Sequence, residues 1–159
     1  MLAVYFEEVL EAANLRLTEM SSGRYELRKV RRVEDARTTN SLDIEILDHY
    51  TGKCRPVKSL SGGEAFKAAL CLALGMADRI EASIGGLQID TLFIDEGFGS
   101  LDEESLDQAL KSLLSLTGRK QLIGIISHVN ELKERIDQQI IIEKGRSGSH
   151  IVKKMLDFS

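Results

Sequence analysis

Thr91-Leu92-Phe93-Ile94-Asp95-Glu96-Gly97-Phe98-Gly99-Ser100-Leu101-Asp102 runs from an apolar segment into two adjacent carboxylates and then into a glycine loop. Residues Ile89 to Ile94 are short, apolar and preceded by the Gly85-Gly86 break, the pattern of a buried strand. Leu122 to Ser127 is a second strand of the same kind, and Asp102 to Leu116 between them has helical periodicity. Strand, helix, strand with apolar strands predicts an α/β fold, a mostly parallel sheet flanked by helices. Ligands of such sheets bind beyond the C-terminal ends of the strands, where Asp95 and Glu96 stand. An acidic pair at that edge suits Mg²⁺ and a polarised water beside a phosphate. Taken alone, it is also how many buried strands end.

Upstream, Ser59-Leu60-Ser61-Gly62-Gly63-Glu64 precedes a long helix over residues 64 to 82, apolar on nearly every side from Ala68 to Ala77 and therefore expected to be buried. Ser61 and Glu64 have the spacing of a capping box. Capping does not account for Gly62 and Gly63, each of which costs up to about 1 kcal/mol relative to alanine within a helix. Glycines there make sense if something approaches the backbone closely, and a helix start with bare N–H groups and a serine hydroxyl is an anion site. The loop Gly97-Phe98-Gly99-Ser100-Leu101-Asp102 reads locally as a turn and N-cap. Ser127-His128 ends the second apolar strand, which should lie beside the strand carrying Asp95 and Glu96.

Further out, Phe6, Val9, Leu10, Ala13 and Leu17 form one stripe of an amphipathic helix over residues 3 to 19, closed by Ser21-Ser22-Gly23. Alternation at Tyr25, Leu27 and Val30, and again at Leu42, Ile44 and Ile46, predicts two half-buried strands that add an antiparallel portion. Turns are expected at Thr38-Thr39-Asn40 and over Asp48 to Gly52, and Pro56 marks a loop. A short helix from Asn130 to Arg135 and strands over 139–144 and 150–155, around Gly145-Arg146-Ser147-Gly148, complete a single expected domain over residues 1–159.

Composition narrows the class. At 159 residues and 43% hydrophobic content the chain can bury a core, and its formal charge of −4 excludes holding DNA by bulk positive charge. Aromatics at 5% and no Trp argue against base-stacking platforms. Cys54 and Cys71 lack CxxC spacing, against a disulfide scaffold or zinc site. Cys71, in the apolar helix, is expected in the core. The dense basic run Arg24, Arg28, Lys29, Arg31, Arg32, Arg37 is interleaved with Glu26, Glu34 and Asp35 and reads as a solvated hairpin rather than a DNA-backbone contact. No apolar run approaches membrane-spanning length and no signal-peptide pattern opens the chain, so a soluble cytoplasmic domain is expected.

In their order and spacing the four segments resemble the ABC-type ATPases. Ser61-Gly62-Gly63-Glu64 looks like the signature motif and the run ending Asp95-Glu96 like Walker B. Gly99-Ser100-Leu101-Asp102 looks like the D-loop and His128 like the switch histidine. Phe93 to Asp102, Ile123-Gly124-Ile125-Ile126-Ser127-His128-Val129 and Lys133-Glu134-Arg135-Ile136 are closer to one branch, the SbcC-type ATPases of SbcCD nucleases. Residues 1–20 and Met20-Ser21-Ser22-Gly23-Arg24-Tyr25 resemble the stretch where that family's coiled coil re-enters the head.

No Gly-x-x-x-x-Gly-Lys-Ser/Thr phosphate cradle occurs; Gly52-Lys53-Cys54 lacks the first glycine and the hydroxyl. In the SbcC family the P-loop lies in an N-terminal lobe, so the resemblance implies the C-terminal lobe of a split ABC-type P-loop NTPase head, inactive alone. It implies ATP and Mg²⁺ in the complete head, with Asp95 on Mg²⁺, Glu96 as base toward the attacking water and His128 on the γ-phosphate. Ser61, Gly62, Gly63 and Glu64 would face ATP held by the opposite head, and Ser100 and Asp102 would cross the head–head interface. Implied partners are the N-terminal lobe, a second head joined by ATP, an SbcD-type nuclease subunit and double-stranded DNA, with a cytoplasmic, nucleoid-associated setting. The implied work is DNA end processing in repair and recombination. The alternative is an ATP-gated DNA clamp of the chromosome-maintenance type without a nuclease, and a transporter-type domain is disfavoured because it carries P-loop and signature together.

Overall fold

The computed structural model describes residues 2–30, 43–85, 89, 91–117, 122–145 and 148–155. The expected turn at 38–40, Leu42, Gly86, Arg146-Ser147 and the basic residues Arg31, Arg32 and Arg37 lie outside the described residues. The chain divides into two compact units, Met1–Ile126 and Ser127–Ser159.

The first unit is organised by two helices, α1 (Leu2–Met20) and α2 (Gly62–Ser83). The α1 stripe read from the sequence is the buried one: Val9, Leu10, Ala13 and Leu17 are all buried, with Met20 below them. The helices run antiparallel. Near one end the Lys67 Nζ of α2 donates to the carbonyl of Met20, and further along Arg16 pairs with Asp78 at 2.6 Å and Arg79 with Glu8. Gly75 sets how closely they approach: a Cβ there would stand 2.8 Å from both Ala13 N and Val9 O. Only one face of α2 is buried, through Ala68, Leu70, Cys71, Leu74 and Gly75, while Met76 is 46% exposed. The expectation of a helix buried all round is therefore corrected. α1 covers one side, and no other described element covers the side that holds Met76.

Strands β1 (Tyr25–Lys29), β2 (Ile44–Asp48) and β3 (Lys53–Pro56) form an antiparallel sheet in that order. β3 was not expected. Pro56 ends it, which an edge strand tolerates because the missing N–H faces no partner. The free edge of β1 is closed by one side chain: Asn14 on α1 donates to the Leu27 carbonyl and accepts from the Leu27 amide, at 2.9 and 2.7 Å. A carboxamide thus stands where a neighbouring strand's peptide would, fixing the sheet to α1.

The parallel pair is β4 (Thr91–Asp95) and β5 (Leu122–Ile126), in register Asp95 opposite Ile126, with helix α3 (Glu103–Thr117) between them in sequence. α3 packs on β5 and α1. One face of the pair holds the half-buried Leu92, Ile94, Ile123 and Ile125. The other is open, with Phe93 70%, Leu122 63% and Ile126 55% exposed. Parallel strands ordinarily carry cover on both faces, so the expected helical cover is incomplete among the described residues.

The second unit holds helix α4 (Asn130–Arg135) and the hairpin of β6 (Gln138–Gly145) and β7 (Gly148–Met155), close to the bounds read from the sequence. No described helix is long and apolar enough to cross a membrane.

Alanine is the better helix former by about 1 kcal/mol, yet the Gly75→Ala methyl has no room against the α1 backbone. The variant is expected to lose about 1–3 kcal/mol of stability, read as a lower denaturant midpoint at unchanged m-value.

Candidate functional site

Ser61 is the N-cap of α2. Its hydroxyl accepts from the Glu64 amide at 3.4 Å while the Glu64 carboxylate accepts from the Ser61 amide at 2.9 Å, the capping box the spacing predicts. Accepting that bond leaves the serine its own proton to donate outward. Gly62 and Gly63 form the first turn, and what approaches them is this chain's own loop. A Cβ on Gly63 would meet the Ser100 carbonyl oxygen at 2.8 Å, and one on Gly62 the Ser100 Cβ at 3.3 Å. Gly62 stays exposed and Gly63 half-buried, so the pair lies at the surface and not inside the core.

That loop is a 3-10 turn, Phe98–Ser100, entered through Gly97 at φ +98° and anchored by Phe98, which is buried edge-on against Phe66 of α2 with ring centroids 4.8 Å apart. Asp102 caps α3: its Oδ1 accepts from the Ser105 amide at 2.7 Å, and chiefly for that reason its carboxyl is held below the usual range. Ser61–Glu64 and Ser100–Asp102 therefore line one cleft of about 470 Å³, closed at its other end by Met20–Ser22, Arg24 and Tyr25 at the α1–β1 junction.

Glu64 is the centre of a polar cluster. Besides the capping bonds it accepts from the Tyr25 hydroxyl at 2.5 Å, and Arg55 and Arg24 come within 3.8 and 4.0 Å. Arg55 in turn donates to the Tyr25 oxygen at 3.2 Å, and Arg24 lies over the Tyr25 ring while binding the buried Asp48. Burial works to raise the Glu64 pKa, but the bonds from Tyr25 and Ser61 and the charge of Arg55 outweigh it and hold the carboxyl below its ordinary value. Burial and the bond to Glu64 push Tyr25 up to about 12, so its hydroxyl stays a donor.

Asp95 ends β4 and Glu96 follows, both exposed at the C-terminal edge of the parallel pair. The Glu96 amide extends the ladder to the Ile126 carbonyl at 2.9 Å, and its φ of 59° is left-handed, a strained conformation for a residue with a Cβ. His128 belongs to the second unit, exposed, two residues beyond the end of β5.

The structure thus brings Ser61, Gly62, Gly63 and Glu64 together with Ser100 and Asp102, and sets Asp95 and Glu96 side by side at the sheet's edge. Sequence reasoning missed Lys67 and Tyr25 as parts of the cleft's lining and Arg55 as a partner of Glu64 and Tyr25. For Lys67 there was a signal: it is the one charged residue between Glu64 and Asp78 in an otherwise apolar run.

The family description "SbcC/RAD50-like, Walker B motif" matches residues 31–115. This chain belongs to the SbcC/RAD50-like family. Proteins named as the SbcC subunit of nuclease SbcCD are similar to it. The one from Treponema pallidum is 49% identical over 93% of this chain and 14% of its own length, and the one from Vibrio cholerae 49% over 93% and 15%. That from Staphylococcus saprophyticus is 42% identical over 96% and 15%. The chain therefore spans about one seventh of these relatives. Among solved structures, a chain from a study of ATP-driven dimerisation and DNA-stimulated activation of SMC ATPases matches at TM-score 0.67 and 16% identity, over 93% of this chain and 84% of that one. The Smc head domain with coiled coil and joint from Pyrococcus yayanosii matches at 0.68 and 17%, over 92% and 26%. At such identities the likeness speaks for the fold: this SbcC/RAD50-like chain has the α/β architecture of an SMC-type ATPase head lobe.

A carboxyl whose folded pKa lies below its unfolded value stabilises the fold above the ordinary carboxylate range, and that contribution is lost as pH falls through the folded value. Stability is expected to drop on acidification below about pH 4.3, and Glu64→Gln to make the drop shallower. Asp48 and Asp102, lowered in the same direction, keep it from vanishing. Denaturant unfolding across pH 3–7 measures both.

Proposed function

We propose that this chain is the C-terminal half of an ABC-type ATPase head in an SbcC-type subunit, and that the complete protein drives an ATP-dependent double-strand DNA exonuclease and endonuclease complex in repair and recombination. The observation that carries this is the single cleft lined by Ser61–Glu64 and Ser100–Asp102, set on an SMC-type head fold. The strained Glu96 at the edge of the parallel sheet supports it. The names of relatives 42–49% identical favour a nuclease complex over a clamp that works without one.

The carboxylates fit one half of a metal site. Among the described residues no cluster of three or more His, Cys, Asp or Glu could hold a metal unaided. Mg²⁺ is ordinarily held by one or two carboxylates together with substrate phosphates and water, and the exposed Asp95 suits that share. When bound, the ion supplies neutralisation of phosphate charge. Glu96 would orient the attacking water and take its proton. The Ser61 hydroxyl and the Gly62–Gly63 N–H groups would donate to the γ-phosphate of ATP held by the opposite head, where the start of α2 favours negative charge. Glu64, as capping partner, would hold Ser61 for that task. Ser100 and Asp102 would cross the head–head interface, and His128 would contact the γ-phosphate. Catalysis by positioning and charge, with little covalent work by the protein, suits a site completed only when two heads close.

The open apolar face of β4 and β5 supports the same reading. Two parallel strands exposing Phe93, Leu122 and Ile126 are marginal alone. The N-terminal P-loop lobe is the occupant we propose, covering that face and supplying the phosphate cradle this sequence lacks. The remaining proposed partners are a second head, an SbcD-type nuclease subunit and double-stranded DNA, in the cytoplasm at the nucleoid, with α1 as the base of a coiled coil. The two units are proposed to form a single half-head.

In the full-length protein Glu96→Gln is expected to keep ATP affinity within a few-fold, to lower turnover by about 10²-fold or more and to hold the dimer closed with ATP. ATPase assays with size-exclusion chromatography read all three, and ordinary turnover removes Glu96 from the role of base. The chain by itself is expected to give no ATP binding in calorimetry, and a Kd below about 1 mM contradicts the split site.

A further inference from the structure

Lys67 lies in α2 six residues beyond the capping serine, with its ammonium between two other elements. It donates to the carbonyl of Met20, the last residue of α1, at 3.2 Å, and to the Ser105 hydroxyl in the first turn of α3 at 3.0 Å. Ser105 is buried, and its amide is the donor that holds the Asp102 carboxylate in place. Three segments therefore meet at one side chain: the end of α1, the helix that starts at Ser61, and the helix start that holds Asp102. The cleft lies among them, and Lys67 lines it.

At the end of α1 the carbonyls of Leu17, Thr18 and Glu19 already accept from the Ser21, Gly23 and Ser22 amides, and Lys67 takes the next one, that of Met20. At the start of α3 the bare N–H groups oppose a cation while the Asp102 carboxylate attracts it. Burying part of a lysine stem and fixing its head on two acceptors also costs side-chain entropy. What the arrangement secures is register. The Gly63 backbone leaves 2.8 Å between a notional Cβ and the Ser100 carbonyl, so contact between the two loops is already tight on the Ser100 side. Lys67 to Ser105 is the matching tie on the far side, and its second bond carries the same tie to α1.

We propose that Lys67 is a positioning residue, holding the Ser61–Gly63 loop and the Ser100–Asp102 loop at one fixed spacing and transmitting displacement of the α1 end to both. The inference rests on the reading above that these loops face nucleotide. A loss of spacing is felt when the two heads close on ATP, since a displacement of about 1 Å can lower a positioned reaction by up to about 10²-fold. It is not felt when a single head binds ATP, because the phosphate cradle is not part of this chain.

The test uses the full-length protein, with ATP as the probe. Lys67→Met keeps the stem and removes the donor, Ser105→Ala removes one acceptor, and Lys67→Arg restores a donor of similar reach. Expected for Lys67→Met is a fall in kcat of about tenfold with KM for ATP within about twofold and Tm within about 3 °C. Ser105→Ala should give a smaller fall in kcat, the double variant a loss well short of additive, and Lys67→Arg most of the wild-type kcat. Wild-type kcat in Lys67→Met overturns the proposal. So does a fall in kcat that tracks a fall in Tm and that arginine does not reverse, since that is the mark of a purely structural tie. Ser61→Arg separates this from the broader reading. If it leaves turnover intact, the nucleotide-facing assignment fails; if it abolishes turnover while Lys67→Met does not, only the present inference fails.

Discussion

The Glu64 carboxylate accepts at once from the Ser61 amide, which closes the start of α2, and from the Tyr25 hydroxyl, which begins the antiparallel sheet. A helix start otherwise leaves four N–H groups without partners, and here that local requirement is met by a group that is simultaneously a tertiary anchor. The bonds from Tyr25 and Ser61, with the charge of Arg55 from β3, keep Glu64 ionised in a partly dry setting, and Arg24 from the α1–β1 junction stands 4.0 Å away. The serine loop is consequently held from behind by three elements while its front, with the Ser61 proton and the glycine N–H groups, remains available. Without that anchor the cleft has no fixed wall.

The glycine pair belongs to the same economy of space. The need for glycine before α2 was evident from helix propensity, and a ligand was one candidate for what comes close. The structure shows that the Ser100 carbonyl already requires it at Gly63. This does not compete with a role toward phosphate: a loop that admits its own neighbour so closely also leaves its N–H groups bare. Two short segments far apart in sequence therefore act as one surface, and Lys67 and Ser105 brace it from the opposite side.

Much of the architecture was legible because it is local. The α1 stripe, the capping box, the alternation of β1 and β2 and the apolar β4 and β5 are patterns of neighbouring residues, and each element formed close to where its pattern placed it. β3 was not legible: Lys-Cys-Arg-Pro has no alternation to read, and it becomes a strand only because β2 offers a free edge. The extent of burial of α2 was overestimated for a related reason. An all-apolar helix says that every side is meant to be covered, not that this stretch of chain supplies the cover, and the same holds for the open face of β4 and β5.

What the sequence determined by itself is the order of elements and the identity and spacing of Ser61, Asp95, Glu96, Ser100, Asp102 and His128, from which the family followed, since spacing and periodicity are properties of near neighbours. Only the tertiary structure decided that Ser61 and Ser100 share a wall, that Glu96 sits in a left-handed backbone, and that Tyr25 and Lys67 frame the cleft. Those contacts join residues 38 and 39 positions apart. Partners at such separations are chosen by how whole helices pack, and here that is set by the closeness Gly75 allows between α1 and α2. No local pattern around Lys67 or Tyr25 carries that information.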